Sequence, residues 1–283
     1  MMPSHAPAAE IATDAAALRD WLDGIGRVFV LTGAGVSTAS GIPDYRDAGG
    51  EWKRPPPVTY QALIGDAATY RRYWARSFVG WPGFSTAEPN AAHRALAAFE
   101  DRGRCTALVT QNVDALHQRA GSRAVIDLHG RLDRVVCLGC GADSPRDALQ
   151  ARMHAQNPGW RPRDAAAAPD GDADIDLAAV AAFLPPHCAV CGSMLKPDVV
   201  FFGENVPRAR YTQAVAALEA ADAMLVVGSS LMVYSGFRFA RMAKERGLPL
   251  AVLNRGRTRA DDLVDLKLEG DCGAVLAAAI ERD

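Results

Sequence analysis

The sequence predicts an α/β fold, in which a Rossmann-like, doubly wound parallel sheet carries a small inserted module. Three observations favour this class. Short β-branched apolar runs alternate with helical patterns, polar or glycine-rich loops follow most of those runs, and two C-x-x-C pairs interrupt the alternation. Strands that alternate with helices usually pair in parallel and are covered on both faces. With 283 residues, of which 49% are apolar, the chain can form one large core and a satellite unit.

Short apolar runs are the predicted strands of the sheet. In chain order they are VFVL (28–31), CTALVT (105–110), AVIDL (124–128), AMLVVG (223–228), LAVLN (250–254) and LKLEG (266–270). Between them, the segments NAAHRALAAFEDRG and YTQAVAALEAADA have apolar residues at i, i+3 and i+4, which predicts helices. No internal repeat is visible.

The sequence also predicts how the chain is divided. Residues 20–133 and 196–278 form the predicted sheet domain, residues 134–195 form the inserted module, and residues 1–19 are a tail. Much of the module is rich in alanine, proline and aspartate, which predicts a surface excursion with one helix near 176–183.

Four of the six cysteines stand in two C-x-x-C pairs. They are Cys137, Cys140, Cys188 and Cys191. In a chain without an export signal, two such pairs favour a tetrahedral zinc site over disulfides, and an unmetallated redox pair is the alternative. Gly139 and Gly192 are expected to help each pair turn tightly. The insert is therefore predicted to be a small zinc-binding module that holds one structural zinc ion, with no open position for catalysis.

Charge and hydropathy exclude several classes of function. Lysine and arginine total 31 against 33 aspartates and glutamates, so no basic field favours nucleic acid or an anionic membrane. No apolar run reaches the roughly 18 residues of a spanning helix, and residues 1–20 resemble neither a signal nor a transit peptide. We expect a cytoplasmic protein with small or peptide-like partners.

Five polar loops follow predicted strands, at the edge where ligands of such sheets bind. They are TGAGVS, TQNVDALH, HG, GSSLMVYS and NRG. Gly33 and Gly35 would let the backbone approach a phosphate beside a helix N-terminus. Thr38 stands where the dinucleotide fingerprint has glycine, so a plain tight turn is the alternative. In the following GIPDYRD, Pro43 discourages helix at Ile42, which predicts a flap over the ligand.

Seven motifs in order resemble those of the sirtuins, which are NAD-dependent protein deacylases. They are GAGVSTASGIPDYR, TQNVDALHQRAG, LHG, the paired C-x-x-C knuckles, KPDVVFFGE, VVGSSLMVYS and LNRG. The resemblance covers about residues 20–275. RYWARSFVGWPGF and TQNVDALHQRAGSR are further similar to the class II branch, especially the mitochondrial sirtuin-four type.

The resemblance implies a binding site for NAD made from loops at that edge. Its residues would be Gly33, Ala34, Gly35, Asp44, Tyr45, Arg46, Gln111, Asn112, Asp114, Gly228, Ser229, Ser230, Asn254, Arg255, Gly256 and Cys272. Many family members have phenylalanine where this chain has Tyr45. The resemblance also implies that acylated-lysine protein substrates pair, as an added strand, with VVFFGE. Val199, Phe201, Gly203 and Glu204 would bind them.

His129 is the predicted catalytic base. In the mechanism that the resemblance implies, the acyl-lysine oxygen attacks the ribose C1′, nicotinamide leaves and an alkylimidate forms. His129 would then deprotonate a ribose hydroxyl, a task that suits an imidazole. Asn112 and Asp114 complete the predicted catalytic set. The alternatives without a catalytic role are that His129 caps a turn and that Asn112 and Asp114 only shape a loop. His93 is interpreted as structural.

The acyl group is predicted from Tyr73 and Arg76, which stand at i and i+3 on one helical face. The pair resembles the Y-x-x-R of class II sirtuins, which meets a carboxylate on the acyl chain. An arginine fork suits that carboxylate, so succinyl, glutaryl or hydroxymethylglutaryl lysine is predicted to be preferred over acetyl. The alternative is a solvated basic face of Arg71, Arg72 and Arg76, with Tyr73 and Trp74 packed inward.

Other functions stay open at this point. The same NAD cleavage could transfer ADP-ribose to a protein. The chain could also be a noncatalytic NAD-binding scaffold, which the presence of His129 disfavours, or a dehydrogenase, which Thr38 disfavours. The oligomeric state is left open.

Overall fold

In the computed structural model, which describes residues 8–160, 166–167, 171–175 and 180–280, a six-stranded sheet lies at the centre of the fold. The strands are β1 (Val28–Thr32), β2 (Cys105–Thr110), β3 (Val125–Asp127), β4 (Gly130–Cys137), β5 (Asp143–Pro145), β6 (Ala166–Ala167), β7 (Ala173–Asp174), β8 (Leu195–Val199), β9 (Ala223–Val227), β10 (Leu250–Leu253) and β11 (Leu266–Leu268). The large sheet has the order β11-β10-β9-β1-β2-β3, and each neighbouring pair is parallel. The predicted fold class is confirmed.

The helices of the described part pack mainly against this sheet and its insert. They are α1 (Ala8–Leu22), α2 (Tyr60–Gly65), α3 (Ala67–Ser85), α4 (Ala91–Asp101), α5 (Leu116–Arg119), α6 (Arg146–Gln156), α7 (Arg208–Glu219), α8 (Tyr234–Glu245) and α9 (Cys272–Ile280). Both predicted helices are present as α4 and α7. Among the described residues, no helix is both long and apolar enough to cross a bilayer.

The central strands are buried along their whole length because helices cover both faces. All five residues of β1 and of β9 are buried. Val28 and Val30 face a cluster that includes residues of α1, α4 and α9. Phe29 and Leu31 face a second cluster with residues of α7 and α8. Side chains alternate between the faces of a strand, so a continuous apolar run serves two cores.

The strand order reverses between β1 and β9, and this switch point positions the site. From β1 the chain adds β2 and β3 on one side, whereas β9, β10 and β11 extend the sheet on the other. The loops that follow β1 and β9 therefore meet. The Gly35 amide donates to the Gly228 carbonyl over 2.8 Å. Open α/β sheets bind ligands at such a reversal.

The assignment of residues 1–19 to a tail needs correction. Residues from Ala8 onward form α1, whose Ala15 and Leu18 are 2% and 0% exposed within the core. The Asp14 carboxylate accepts a 2.8 Å hydrogen bond from the Gly270 amide. Residues 8–22 belong to the sheet domain because burial of one apolar stripe ties this helix to α9.

The inserted module has its own three-stranded antiparallel sheet, in the order β5-β4-β8. Tyr70, Trp74, Phe78 and Phe183 form much of its aromatic core. Strands β4 and β8 run past residues 134 and 195, and the exact division into domains stays a proposal. The helix predicted near 176–183 falls largely outside the described residues.

Candidate active site

The loop after β1 differs from the helix N-terminus that the glycines led us to expect. It forms two short 3₁₀ turns, Ala34–Val36 and Thr38–Ser40. A Cβ at Gly33 would lie 2.8 Å from the Ser229 Cβ, and one at Gly35 would lie 2.9 Å from the Gly228 carbonyl oxygen. The two glycines are therefore required for close contact between the β1 and β9 loops.

A hydrogen-bond network links this loop to the loop after β2. The Ser37 hydroxyl donates to the Asp114 carboxylate over 2.7 Å and accepts from the Asn112 amide over 3.0 Å. Asn112 also donates to the Gly33 carbonyl over 3.1 Å. Burial raises the pKa of Asp114. Ser37 was not among the predicted site residues, although its position in GAGVS was a signal.

Two buried histidines, His93 and His117, lie next to this network. The His93 Nε2 lies 3.5 Å from the Ser37 hydroxyl, and the His117 Nε2 lies 2.9 Å from the Thr32 hydroxyl. The two rings are in contact, with centroids 4.8 Å apart. Burial lowers the pKa of His93 to about 4 and that of His117 well below its usual value. Both therefore act as neutral packing groups.

His129 is held at both ring nitrogens. Its Nδ1 lies 3.0 Å from the Gln111 carbonyl oxygen, which requires a proton on Nδ1. Nε2 therefore keeps its lone pair and accepts from the Ser235 hydroxyl over 2.8 Å. Burial lowers the pKa of His129 to about 4, below the near-neutral value that the sequence suggested. Ser235 was missed as a site residue because its only signal was its place at the end of GSSLMVYS.

The loops after β9 and β10 complete the sheet edge. The Gln111 side chain donates to the Ser229 hydroxyl over 2.7 Å, which joins the β2 and β9 loops. Asn254 is buried just after β10, and its amide donates to the carbonyl of Arg255 over 2.8 Å. Cys272 begins α9, and burial raises the pKa of its thiol to about 12, so it is no nucleophile.

The predicted flap is bonded within itself and against the β10 loop. Asp44 forms an ion pair with Lys53. The Arg46 guanidinium lies 3.9 Å above the centre of the Trp52 ring and donates to the Gly50 carbonyl over 2.7 Å. A Cβ at Gly256 would lie 2.4 Å from the Ala48 carbonyl oxygen. The flap therefore closes one side of the crevice at the switch point.

The segment VVFFGE lies directly beside the predicted base. Val199 ends β8 opposite Gly130, and the Val200 amide donates to the His129 carbonyl over 2.8 Å. Gly203 has a φ of +86°, which suits glycine. Glu204 accepts from the Phe201 amide and from the Lys196 ammonium, both over 2.8 Å. Its carboxylate therefore shapes the loop.

Tyr73 and Arg76 lie on α3 beside this segment. Tyr73 is 5% exposed, and its ring centroid lies 5.4 Å from that of Phe201. The Arg76 Nε donates to the Ala173 carbonyl over 3.0 Å and lies 3.8 Å from the Asp172 carboxylate. Tyr73 and Trp74 pack inward, as the alternative interpretation expected, but Arg76 contacts the insert rather than forming an open basic face.

The cysteines of both knuckles come together at the far end of the module. They are Cys137, Cys140, Cys188 and Cys191, whose sulfurs all lie within 4.8 Å of one another. The Cys137–Cys191 and Cys140–Cys188 sulfur distances are 3.5 and 3.7 Å. Tetrahedral zinc with bonds of about 2.3 Å needs sulfurs about 3.8 Å apart. This four-cysteine cluster therefore fits one structural zinc ion with a closed shell.

The two knuckles have the same backbone geometry. Gly141 and Gly192 follow the second cysteine of each pair, both with a φ of +73°. The turn at the first knuckle therefore depends on Gly141 rather than on Gly139. Gly139 is needed instead because a Cβ there would lie 2.2 Å from the Ser193 hydroxyl. Amides donate to the Cys137 and Cys188 sulfurs over 3.4 Å, and these hydrogen bonds orient the two sulfurs.

The crevice also fits a dinucleotide. Glycine backbone, serine hydroxyls and a buried asparagine meet at the switch point, as the binding of pyrophosphate and ribose requires. The β1 and β9 loops touch at Gly35 and Gly228, while the flap touches the β10 loop at Ala48 and Gly256. Fold and site together define an α/β NAD-binding enzyme with a structural zinc module.

Comparison with known families gives the same result. A family model described as the Sir2 family matches residues 33–235. The chain belongs to the Sir2 family. The resemblance to the class II branch stays a prediction.

Relatives and solved structures are similar to this chain over most of its length. A protein of Xanthomonas axonopodis pv. citri named NAD-dependent protein deacetylase is 62% identical over 260 residues, which are 92% of this chain and 89% of that protein. A protein of the same name from Bordetella bronchiseptica is 57% identical over 95% of this chain and 98% of its own length. A structure described as Sir2 with a p53 peptide and NAD+ is 30% identical, with a TM-score of 0.74 over 94% of this chain and 96% of that one.

Proposed function

We propose that this protein is an NAD-dependent protein-lysine deacylase that yields nicotinamide, O-acyl-ADP-ribose and free lysine. The observation that carries the proposal is the geometry of His129, whose Nδ1 is oriented by the Gln111 carbonyl and which stands at the ligand edge of the sheet. Burial lowers the pKa of its imidazole, which favours the neutral form. Relatives 50–62% identical to this chain are named NAD-dependent protein deacetylases, which supports the same activity.

His129 is proposed to act as the general base through Nε2. Ser235 holds that nitrogen in this structure, so a ribose hydroxyl would take the place of the serine donor. The proton would pass to Nε2 while Nδ1 stays bonded to the Gln111 carbonyl. NAD supplies the glycosidic bond that breaks when the acyl oxygen attacks C1′. A neutral imidazole that can accept a hydrogen bond at Nε2 is what this step requires.

Asn112 and Asp114 are proposed to bind the nicotinamide end of NAD. Both side chains are already oriented by Ser37, so little side-chain order has to be gained on binding. The other predicted NAD contacts are proposed to act as the resemblance implies, with Gly228, Ser229 and Ser230 toward phosphate and ribose. Cys272 would contribute backbone near the adenine.

Acylated-lysine peptides are proposed to bind beside residues 199–204. The Val200 amide fixes this segment to His129, and Phe202 bridges to Thr59 in a parallel sense. A structure described as Sir2 bound to acetylated peptide is 29% identical, with a TM-score of 0.73, and supports this mode. The predicted preference for acidic acyl groups would use Arg76, and this preference stays a prediction.

The cytoplasmic location of the protein also stays a prediction.

The test uses one peptide with acetyl-, succinyl-, glutaryl- or hydroxymethylglutaryl-lysine, together with NAD. We expect nicotinamide release and the mass of the deacylated peptide from wild type, and a loss of kcat/KM of about 10³-fold or more in His129→Ala. His154→Ala, in an exposed residue of the module, is the control. Its activity should stay near that of wild type.

Three outcomes would contradict the proposal. If His129→Ala kept full activity, the base assignment would be wrong. If ADP-ribose appeared on protein while no acyl-lysine was cleaved, the transferase alternative would replace deacylation. Unchanged NAD and peptide in all samples would favour the noncatalytic scaffold.

A further inference from the structure

A buried carboxylate from the insert lies against Arg76. Asp172 is only 3% exposed, and its Oδ2 lies 3.8 Å from the Arg76 Nε. The next residue, Ala173, accepts a 3.0 Å hydrogen bond from the same nitrogen through its carbonyl. Arg76 is therefore bound by two consecutive residues of the insert.

The backbone on either side of Asp172 is packed too tightly for this contact to be incidental. A Cβ on Gly80 of α3 would lie 2.4 Å from the Gly171 carbonyl oxygen. Gly171 itself has a φ of +72°, and a Cβ there would lie 2.9 Å from the Leu132 side chain. Only glycine at both positions allows the insert to approach α3 so closely.

Two series of contacts connect the Arg76–Asp172 pair to the loops of the candidate active site. The first runs from His129 to Val200, Phe201 and then Tyr73, which is one helical turn from Arg76. The second runs from Gly171 to Leu132, whose amide donates to the Val113 carbonyl over 2.9 Å. Val113 lies between Asn112 and Asp114.

A second arginine also favours a carboxylate at this position. Arg146 is 1% exposed, and its guanidinium lies 5.0 Å from the centre of the Trp81 ring. Burial lowers the pKa of Arg146 to about 10, and the charge of Asp172 acts in the opposite direction. Asp172 therefore lies against Arg76 and also stabilises the buried charge of Arg146.

We propose that Asp172 is a specificity-determining residue that, by pairing with Arg76, weakens or removes the preference for acidic acyl groups that the sequence predicts. This inference rests on the proposed deacylase function. The carboxylate of a succinyl or glutaryl chain that reached Arg76 would come close to that of Asp172. It would have to displace Asp172 or bear like-charge repulsion at a site with little water. An acetyl group bears neither cost.

The experiment measures the ratio of kcat/KM for succinyl-lysine to that for acetyl-lysine in one peptide sequence. In Asp172→Asn we expect the ratio to rise about tenfold, because Arg76 loses its competing anion. The change should lie mainly in the KM for the succinyl peptide. Asp147→Asn is the matched control, because Asp147 also lies near Arg146 but accepts from Trp81.

A double-mutant cycle with Arg76→Met tests the cause. In the Arg76→Met background, Asp172→Asn should leave the ratio unchanged, since the cation for which both carboxylates compete is gone. Asp172→Ser serves as a second neutral variant if the asparagine protein does not fold, and thermal unfolding of each variant reports that.

The inference is overturned if wild type deacylates the acetyl peptide and Asp172→Asn has the wild-type ratio. It is equally overturned if the ratio rises to the same extent in the Arg76→Met background. Failure of the proposed function looks different, because wild type would then cleave neither peptide.

Discussion

The central strands of the parallel sheet, β1, β9 and β10, are buried along their length, whereas each strand of the cysteine module has half-exposed or exposed residues. Every residue of β1 and β9 is buried. In the module, β4 alternates and β5 has no buried residue. The sheet is thus stabilised by two large apolar clusters, while the distal end of the module depends on four sulfurs.

The same difference governs how each region contributes to function. Parallel strands bring their carboxyl ends to one edge, so the sheet gathers His129, Asn112 and Ser229 by its topology alone. In the part of the module that the structure describes, the strands pair antiparallel and give no such edge. The module contributes through one buried side chain, Asp172, and through the segment that leads from β8 back to the site. Predictions that separate the two regions follow, from the largest effect to the smallest.

Loss of one knuckle cysteine should affect the module most. We expect Cys137→Ala to lose zinc and to unfold the module at a lower temperature, because structural zinc sites contribute about 10 kcal/mol or more in isolated peptides. The parallel sheet should keep its far-UV circular dichroism. Zinc content and differential scanning calorimetry measure both effects.

Cys105→Ala is the control for that prediction, since Cys105 lies in β2 of the parallel sheet, outside the cluster. Full zinc content in Cys137→Ala, or a melting temperature equal to that of Cys105→Ala, would show that the comparison is wrong. Deacylation should fall with the module, because β8 leads into the substrate segment.

Acidification should lower the stability of the sheet domain. Burial lowers the pKa values of His93, His117 and His129 in the folded protein below the usual value for histidine of about 6.5. The unfolded chain therefore binds more protons, and stability present above pH 6.5 is lost as pH falls toward about 4. The cost is on the order of 1 kcal/mol or more per histidine. Asp114 offsets part of it at the acid end because its pKa is raised.

Urea unfolding from pH 7 to pH 5 checks this expectation. A free energy of unfolding that stays constant over that range would contradict the neutral state of the three histidines. The contribution of His129 is isolated with His129→Gln, which should lessen the pH dependence without removing it.

A methyl group at the switch point should have the smallest effect on stability. Gly35→Ala places a Cβ 2.9 Å from the Gly228 carbonyl oxygen, where only backbone can move. We expect about 1–3 kcal/mol of destabilisation and weaker binding of NAD by calorimetry. Gly65→Ala is the control, because a Cβ there meets nothing within 4 Å. Equal NAD affinity in both variants would show that the β1 and β9 loops do not shape the crevice.

Much of the site was predictable because it is encoded in short stretches. Each predicted strand is present, and both C-x-x-C pairs meet in one cluster. His129 was identified from two residues at a strand end and from the resemblance. Ser37 and Ser235 were missed, since a serine in a loop or in the first turn of a helix has no local pattern that distinguishes a hydrogen-bond partner of a catalytic group from a turn or cap former.

The sequence by itself determined the α/β class, the zinc ligands and the family, because apolar periodicity and motif spacing are local properties. Only the tertiary structure decided that α1 belongs to the core, that Gly35 faces Gly228, and that Asp172 lies against Arg76. It also decided the burial of His129, which lowers the pKa of its imidazole. Such contacts join residues far apart in the chain, and their distances follow from how the elements pack rather than from their spacing in sequence.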